Sequence, residues 1–297
     1  MPYKWIAKEI ETLDPYVDYE RIWKLTTCYY VDNFLMNYLY SVGVPYFMLP
    51  PWGGETLARA SKGKMITAPD ARADDTSNHF WTWFEFGPSD EKTRRSMKVV
   101  NNGHARMEKL MPGSFAHNDD FVYTLAWVAC DIHRLRIRVG LPGYTEKQKI
   151  ATHIFWGEVS KMMLSANGQV FGWPDSFDGI LEFMDEYEAT DWEHSPDGLR
   201  ICHELSDQFA NRWFPRGFRW VGHKMLLAMW GEPVHRVHHV PHTSAVTRKT
   251  FELMIRTVLT VKERVLPDPT TTTPEKNRLK AAAAEERGSK QKVSSVA

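Results

Sequence analysis

The stretch RRSMKVVNNGHARMEKLM, Arg94 to Met111, sets Met97, Val100, His104, Met107 and Met111 at i, i+3, i+7, i+10 and i+14. That spacing puts all five on one face of an amphipathic helix. A histidine inside an apolar stripe needs a partner, because burying an imidazole strips its hydration without replacing it. Two readings follow. In one, His104 is a core histidine satisfied by a backbone carbonyl or a nearby aspartate. In the other it is an axial ligand to an iron centre, and Gly103 beside it leaves room for a flat cofactor.

Working outward, the same helical period recurs along the chain. A helical region is expected from an Asp18 N-cap through Ile22, Leu25 and Tyr29 toward Phe34, Leu35 and Tyr38. Gly43, Pro45, Pro50, Pro51, Gly53 and Gly54 then read as a long, turn-rich connection. After Pro112 and Gly113, a helix capped by Asn118 or Asp119 carries Phe121, Leu125, Val128, Ile132, Leu135 and Val139. Thr145 to Gln148 fits a capping box, and Ser176 caps the next helix. The charges Asp185, Glu186, Glu188, Asp191 and Glu193 read as a solvated face rather than a metal site. Further helices are expected before Pro215, over 218–229 and over 251–265. No strand alternation of useful length and no internal repeat occurs, so the expected class is all-α. A single multi-helix domain with a buried pocket should span 1–266, followed by a disordered tail over 267–297 with a transient helix over 280–287.

With 297 residues, 43% of them apolar and 13% aromatic, the chain can bury a sizeable core. Its formal net charge is zero and it has no long basic run in the folded part, which argues against nucleic acid as a partner. Cys28, Cys130 and Cys202 are distant and odd in number, and are expected to be reduced, buried thiols. The N-terminal MPYKWIAKEIETLD lacks the apolar core of a signal peptide, and no window of about 18 apolar residues occurs. The expectation is a soluble, cytoplasmic protein without an integral membrane segment, with peripheral association at the ER surface as the alternative. Four histidines, His235, His238, His239 and His242, form a candidate zinc or copper site, but Pro233 and Pro241 bracket them and no acidic or cysteine ligand lies among them.

A second block lies upstream of the His104 helix. Arg72-Ala73-Asp74-Asp75-Thr76, followed by the aromatic His79 to Gly87, resembles the Arg-x-x-x-Thr block and aromatic helix of one oxygenase family. That family unites the ER-bound oxygenase of mycophenolic acid biosynthesis with the bacterial latex-clearing rubber oxygenases. Asn101-Asn102-Gly103-His104-Ala105 is similar to its haem-binding signature, and Phe155-Trp156-Gly157-Glu158-Val159 to a later segment. Phe183-x-x-x-Tyr187 and Trp213-Phe214-Pro215 match two more blocks, so the resemblance runs in order from about Asp18 to Pro241. It implies haem b bound through His104 iron ligation, with Arg72 and Thr76 at the distal side or haem edge. It also implies dioxygen and a small lipophilic substrate, of polyprenyl or polyketide-like character, as the reaction partners.

Three departures qualify what the resemblance implies. Asp75 stands where latex-clearing enzymes have lysine, and only Glu55 lies near the place of their acid-base carboxylate. Ala129 stands where bacterial relatives often carry a second histidine, so either that group is dispensable or His133, one turn on, replaces it at the cofactor. Little cleavage of polyisoprene is therefore expected. For Arg72 the alternative is a salt bridge to Asp75 or Glu85. Three functions compete: a haem oxygenase, a non-haem metal enzyme on the same scaffold, and a helical binding protein without chemistry. The sequence assigns no oligomeric state.

Overall fold

The computed structural model describes residues 3–294, with side chains described as far as residue 286. In chain order the helices are α1 (Trp5–Thr12), α2 (Tyr19–Thr27), α3 (Asn33–Phe47), α4 (Pro51–Ala58), α5 (Lys64–Thr67), α6 (Pro69–Phe86), α7 (Glu91–Leu110) and α8 (Asn118–Arg138). They continue as α9 (Glu146–Ser160), α10 (Phe177–Ala189), α11 (Pro196–Trp213), α12 (Arg219–Met229), α13 (Glu232–His238), α14 (Ala245–Thr260) and α15 (Thr273–Ser294). Strand pairing among the described residues is confined to the hairpin of β1 (Leu164–Ser165) and β2 (Gly168–Gln169), with Leu164 opposite Gln169. The fold is all-α, and no described helix is long and apolar enough to cross a membrane.

The centre of the bundle is α8. Phe121 to Cys130 is buried on nearly every side except at Thr124, and the helix packs against α3, α9 and α10. An apolar surface running most of the way round a helix can be satisfied only in the interior. One charged group goes in with it. Glu188 of α10 is buried and accepts hydrogen bonds from Tyr123 Oη (2.8 Å) and from Arg134 Nη1 and Nη2 (2.6 and 2.9 Å). The acidic run therefore divides: Asp185, Glu186, Asp191 and Glu193 are exposed as expected, whereas Glu188 faces the core. Charge pattern alone could not separate it from its neighbours; a half-buried arginine two helices earlier decides its direction.

The expected turn-rich connection over 43–54 is instead the end of α3 and the whole of α4, with Pro45 inside a helix. Proline removes the N–H that would bond Ser41 O, and that orphaned carbonyl is satisfied by Trp230 Nε1 at 3.2 Å. Pro51 sits in the first turn of α4, where it needs no N–H. Glycine serves packing here. A Cβ on Gly43 would stand 2.5 Å from the Trp127 ring, and one on Gly54 2.7 Å from the backbone of Gly198.

Local signals read from the sequence hold at several helix ends. Thr145 and Gln148 form the capping box of α9, and Ser176 Oγ accepts from Gly179 N at the start of α10. Asp18 flanks α2 without capping it, its carboxylate accepting from Asp14 N instead. Asn118 likewise is spent on Phe171, to which it makes two hydrogen bonds of 3.0 Å. All three cysteines are buried and unpaired. The segment expected to leave the body at residue 267 stays on it for several residues more. Asp268 is buried and accepts from Ile6 N (2.9 Å) and Tyr30 Oη (2.8 Å), Thr273 N donates to Cys28 O (2.8 Å), and Arg278 pairs with Glu85. Residues 295–297 of the expected tail lie outside the described residues.

Replacing Glu188 with alanine leaves the buried Tyr123 Oη and the half-buried Arg134 without their acceptor and is expected to cost about 1–3 kcal/mol, read as a lowered urea midpoint. The same change at exposed Glu186 should stay within about 0.5 kcal/mol. Equal, small effects at both positions would return Glu188 to the solvated face.

Candidate functional site

The apolar face of α7 does not close onto the core. Met97 is buried, but Val100, His104 and Met107 are half-buried and line a cavity of ≈ 420 Å³. Its other walls come from α3, α4, α6 and α8, and its volume lies within the range of about 300–1,000 Å³ usual for small-molecule sites. Two α7 residues fix the helix around this space. Ser96 Oγ joins it to α6 through His79 Nδ1 (2.7 Å) and Trp83 Nε1 (2.9 Å). Asn101 ties it to the chain at the hairpin, donating to Met162 O (2.9 Å) and accepting from Leu164 N (3.2 Å).

His104 stands on the cavity wall, stacked on Phe115 (centroids 4.7 Å apart) and edge-on to Phe121 (5.7 Å). Glu108, one turn on, positions Phe115: its carboxylate accepts from Gly113 N (2.6 Å) and Phe115 N (2.8 Å). Nδ1 of His104 is buried with no hydrogen-bond partner. Burial, and after it the charge of Arg72, lowers the pKa of the ring to about 4, so the imidazole is neutral and keeps a lone pair. The alternative of a core histidine satisfied by a carbonyl or an aspartate is thereby excluded at Nδ1. Gly103 does not play the expected part, for a Cβ there would meet nothing within 4 Å and the residue is not on the cavity wall.

Arg72 and Thr76 reach the same cavity from α6. The guanidinium donates to Thr76 Oγ1, which in turn donates to Arg72 O at 3.1 Å. Neither alternative partner of Arg72 is available. Asp75 pairs with Lys64 (2.9 Å) at the surface, and Glu85 pairs with Arg278. Asp75 is not a wall residue, but Lys64, which it holds, is. Glu55 is exposed and off the wall.

The sequence missed three wall residues. His79, at i+7 from Arg72 on one face of α6, brings a second imidazole to the cavity, kept neutral chiefly by burial. Its position relative to Arg72 and Thr76 was the available signal. Asp120 accepts from Tyr187 Oη (2.6 Å) and Trp52 Nε1 (2.7 Å), and Asp131 lies further along α8.

His133, expected at the cofactor, lies elsewhere. The stripe of α8 that lines the cavity is Phe121, Leu125, Val128 and Ile132, with Thr124 and Asp131 beside it, and Ala129 is in the core behind it. His133 is turned away with Ala129. Its Nδ1 accepts from Tyr144 N (2.9 Å) and its ring lies over Gly143 and against Phe177. One turn of helix from Ala129 preserves the face, and that face does not meet this cavity; His133 lines a second one instead. His153, whose Nε2 contacts Pro174 O at 2.7 Å, is also off the cavity. In the 235–242 run, His235 Nδ1 is at 3.0 Å from Val240 O and His238 Nε2 at 2.8 Å from Pro45 O. His239 stacks on His194 and His242 on His235, and no three metal-ligating side chains converge among the described residues.

The donor set on the wall fits haem. It offers one neutral imidazole with an orphaned nitrogen, an aromatic lining, and two guanidiniums, Arg59 and Arg72, that pair with no carboxylate among the described residues and could take the two propionates. No protein-family model and no curated protein matches the chain.

His133→Ala orphans the buried Tyr144 N–H and is expected to cost about 1–3 kcal/mol of stability while leaving any bound chromophore unchanged. Burial first, and then Lys149, hold the His133 pKa below 6.5 in the folded state. Its contribution is therefore complete above pH 6.5 and is lost as pH falls below that value, so the deficit of the variant should shrink in acid. Loss of a chromophore without loss of stability would put His133 back at the cofactor.

Proposed function

We propose that this chain is a haem b oxygenase, with His104 as the axial iron ligand, that oxidises a small lipophilic molecule of polyprenyl or polyketide-like type with dioxygen. The observation that carries the proposal is His104 itself. A neutral imidazole stands on the wall of an aromatic-lined cavity, its Nδ1 buried and unpartnered and its Nε2 without a hydrogen bond among the described residues. Nε2, the nitrogen not closed off by the protein, is the one that would bind iron. The resemblance of the Arg72 and His104 blocks to one oxygenase family supports the same reading.

Haem held there would supply the activation of dioxygen. The protein's part is positional and electrostatic. Phe115 and Phe121 fix the plane of the His104 ring, and Glu108 fixes Phe115. Thr76 holds the Arg72 guanidinium, whose charge is available to a propionate or to negative charge developing in the cavity. The apolar walls exclude water from the reacting region. Weak action on polyisoprene remains part of the proposal. It now rests on Glu55, which is exposed and not itself on the wall, more than on Asp75, which turns to the surface. A cytoplasmic site of action is also part of this reading.

The visible spectrum of the purified protein tests it. A Soret band with one haem per chain is expected, and His104→Ala should abolish the band while far-UV helicity is retained. Stoichiometric haem in that variant would move the ligand, with His79 next in line. Protein that carries no porphyrin but binds lipophiles would be a binding protein without this chemistry.

Arg72→Ala should shift the spectra of added ligands and slow oxygen uptake with terpenoid substrates. Its effect on stability should be under about 1 kcal/mol, because no ion pair is broken. A loss of several kcal/mol would make Arg72 a structural residue.

A further inference from the structure

A second cavity, of ≈ 480 Å³, abuts the first, and Leu39, Trp127 and Asp131 line both. Asp131 is thus in the partition between two spaces. Its only hydrogen bond among the described residues comes from the backbone N–H of Ile132, the next residue in the chain. No cation compensates it. Arg134 on the same helix is held by Glu188, Arg136 by Glu263 and Pro142 O, and Arg138 by the carbonyls of Ala228 and Met229. A charge on Asp131 would act on Cys130 and Tyr144, both kept neutral by burial, the Tyr144 hydroxyl itself unpartnered. His133, which shares the second cavity, is held neutral with its Nδ1 accepting from Tyr144 N. Desolvation with no opposing cation drives the Asp131 carboxyl well above the ordinary carboxylate range. A carboxylic acid that keeps its proton is a hydrogen-bond donor, and nothing in the protein accepts from this one.

We propose that Asp131 recognises an oxygen of the ligand: its carboxyl group donates a hydrogen bond to a carbonyl, ether or hydroxyl oxygen of an otherwise apolar molecule lying along the partition. The substrate class narrows from any lipophile to an oxygen-bearing one. The inference rests on the reading of this cavity as the lipophile site, and not on the presence of haem.

Two probes of matched shape test it, farnesyl methyl ether and farnesene, titrated into the purified protein by tryptophan fluorescence, since Trp23, Trp52, Trp83 and Trp127 line the cavity. The unaltered protein should bind the ether about tenfold more tightly, the equivalent of one net hydrogen bond. Asp131→Leu should erase that preference while still binding farnesene, which also reports that the variant has folded. Asp131→Asn, which retains an N–H donor, should keep part of it. In the infrared, the unaltered protein should show the carbonyl stretch of a protonated carboxylic acid that Asp131→Asn lacks, moved by the ether and not by farnesene. Equal binding of the two probes by the unaltered protein, or a preference that survives in Asp131→Leu, would overturn the proposal. Failure to bind either probe would overturn it together with the lipophile reading. An ether preference in protein that has no Soret band would leave Asp131 in place and remove the haem.

Discussion

Putting Glu188 into the interior constrains everything around it. The carboxylate is anchored by Tyr123 and Arg134, both on α8, so α10 and α8 have one workable register relative to each other. The backbone joins in: Arg236 of α13 donates to Glu188 O at 2.8 Å and to Thr190 O. Three helices distant in sequence thus share one polar node. Interior ion pairs are costly to assemble and more costly to half-break, which makes them better at specifying an arrangement than at stabilising it. What this node specifies is the rotation of α8, and with it which residues of that helix meet the cavity.

Around that node the polar groups fall into two sets. Most buried ones are answered within the protein. His133 has Tyr144 N, Asp120 has Tyr187 and Trp52, and His79 has Ser96. His104 Nδ1 has nothing, and the carboxyl of Asp131 has only an adjacent amide. Other buried atoms without a partner, among them Tyr38 Oη, Thr93 Oγ1, Tyr144 Oη and His238 Nδ1, belong to residues off this cavity, whereas these two groups share it. A polar group left unanswered in a native interior calls for an explanation, and a bound molecule is one. One group is a lone-pair donor suited to a metal and the other a proton donor suited to an oxygen, so the two make different demands on what binds.

How far the sequence could be read depended on the scale of the question. Hydrophobic period sufficed for the helices, for the α7 stripe and for the capping box at Thr145. The resemblance to the oxygenase family, and not period, put Arg72 and Thr76 forward beside His104. Period failed where the deciding partner is remote. Pro45 reads as a helix breaker until Trp230 takes the carbonyl it orphans. Glu188 reads as solvent-facing until Arg134 is placed beside it. His133 was assigned by its distance along the helix from Ala129, but period gives a face and not the neighbour that face will meet. Asp131 reads as a surface residue because it stands among the charged residues of the C-terminal half of α8; only the commitment of Arg134 to Glu188 shows otherwise.

The proline in α3 bears also on the order in which the chain assembles. Ser41 O waits for an indole 189 residues downstream, and Pro45 O, which accepts from Met48 N locally, gains a second contact from the imidazole of His238, 193 residues away. Until those segments exist and dock, the last turns of α3 lack the contacts that make a proline tolerable there. The helix that carries Gly43 and Phe47 to the cavity wall must therefore mature late, after most of the chain has left the ribosome. One wall of the cavity thus leans on the final third of the polypeptide, although every residue that lines it lies before that third.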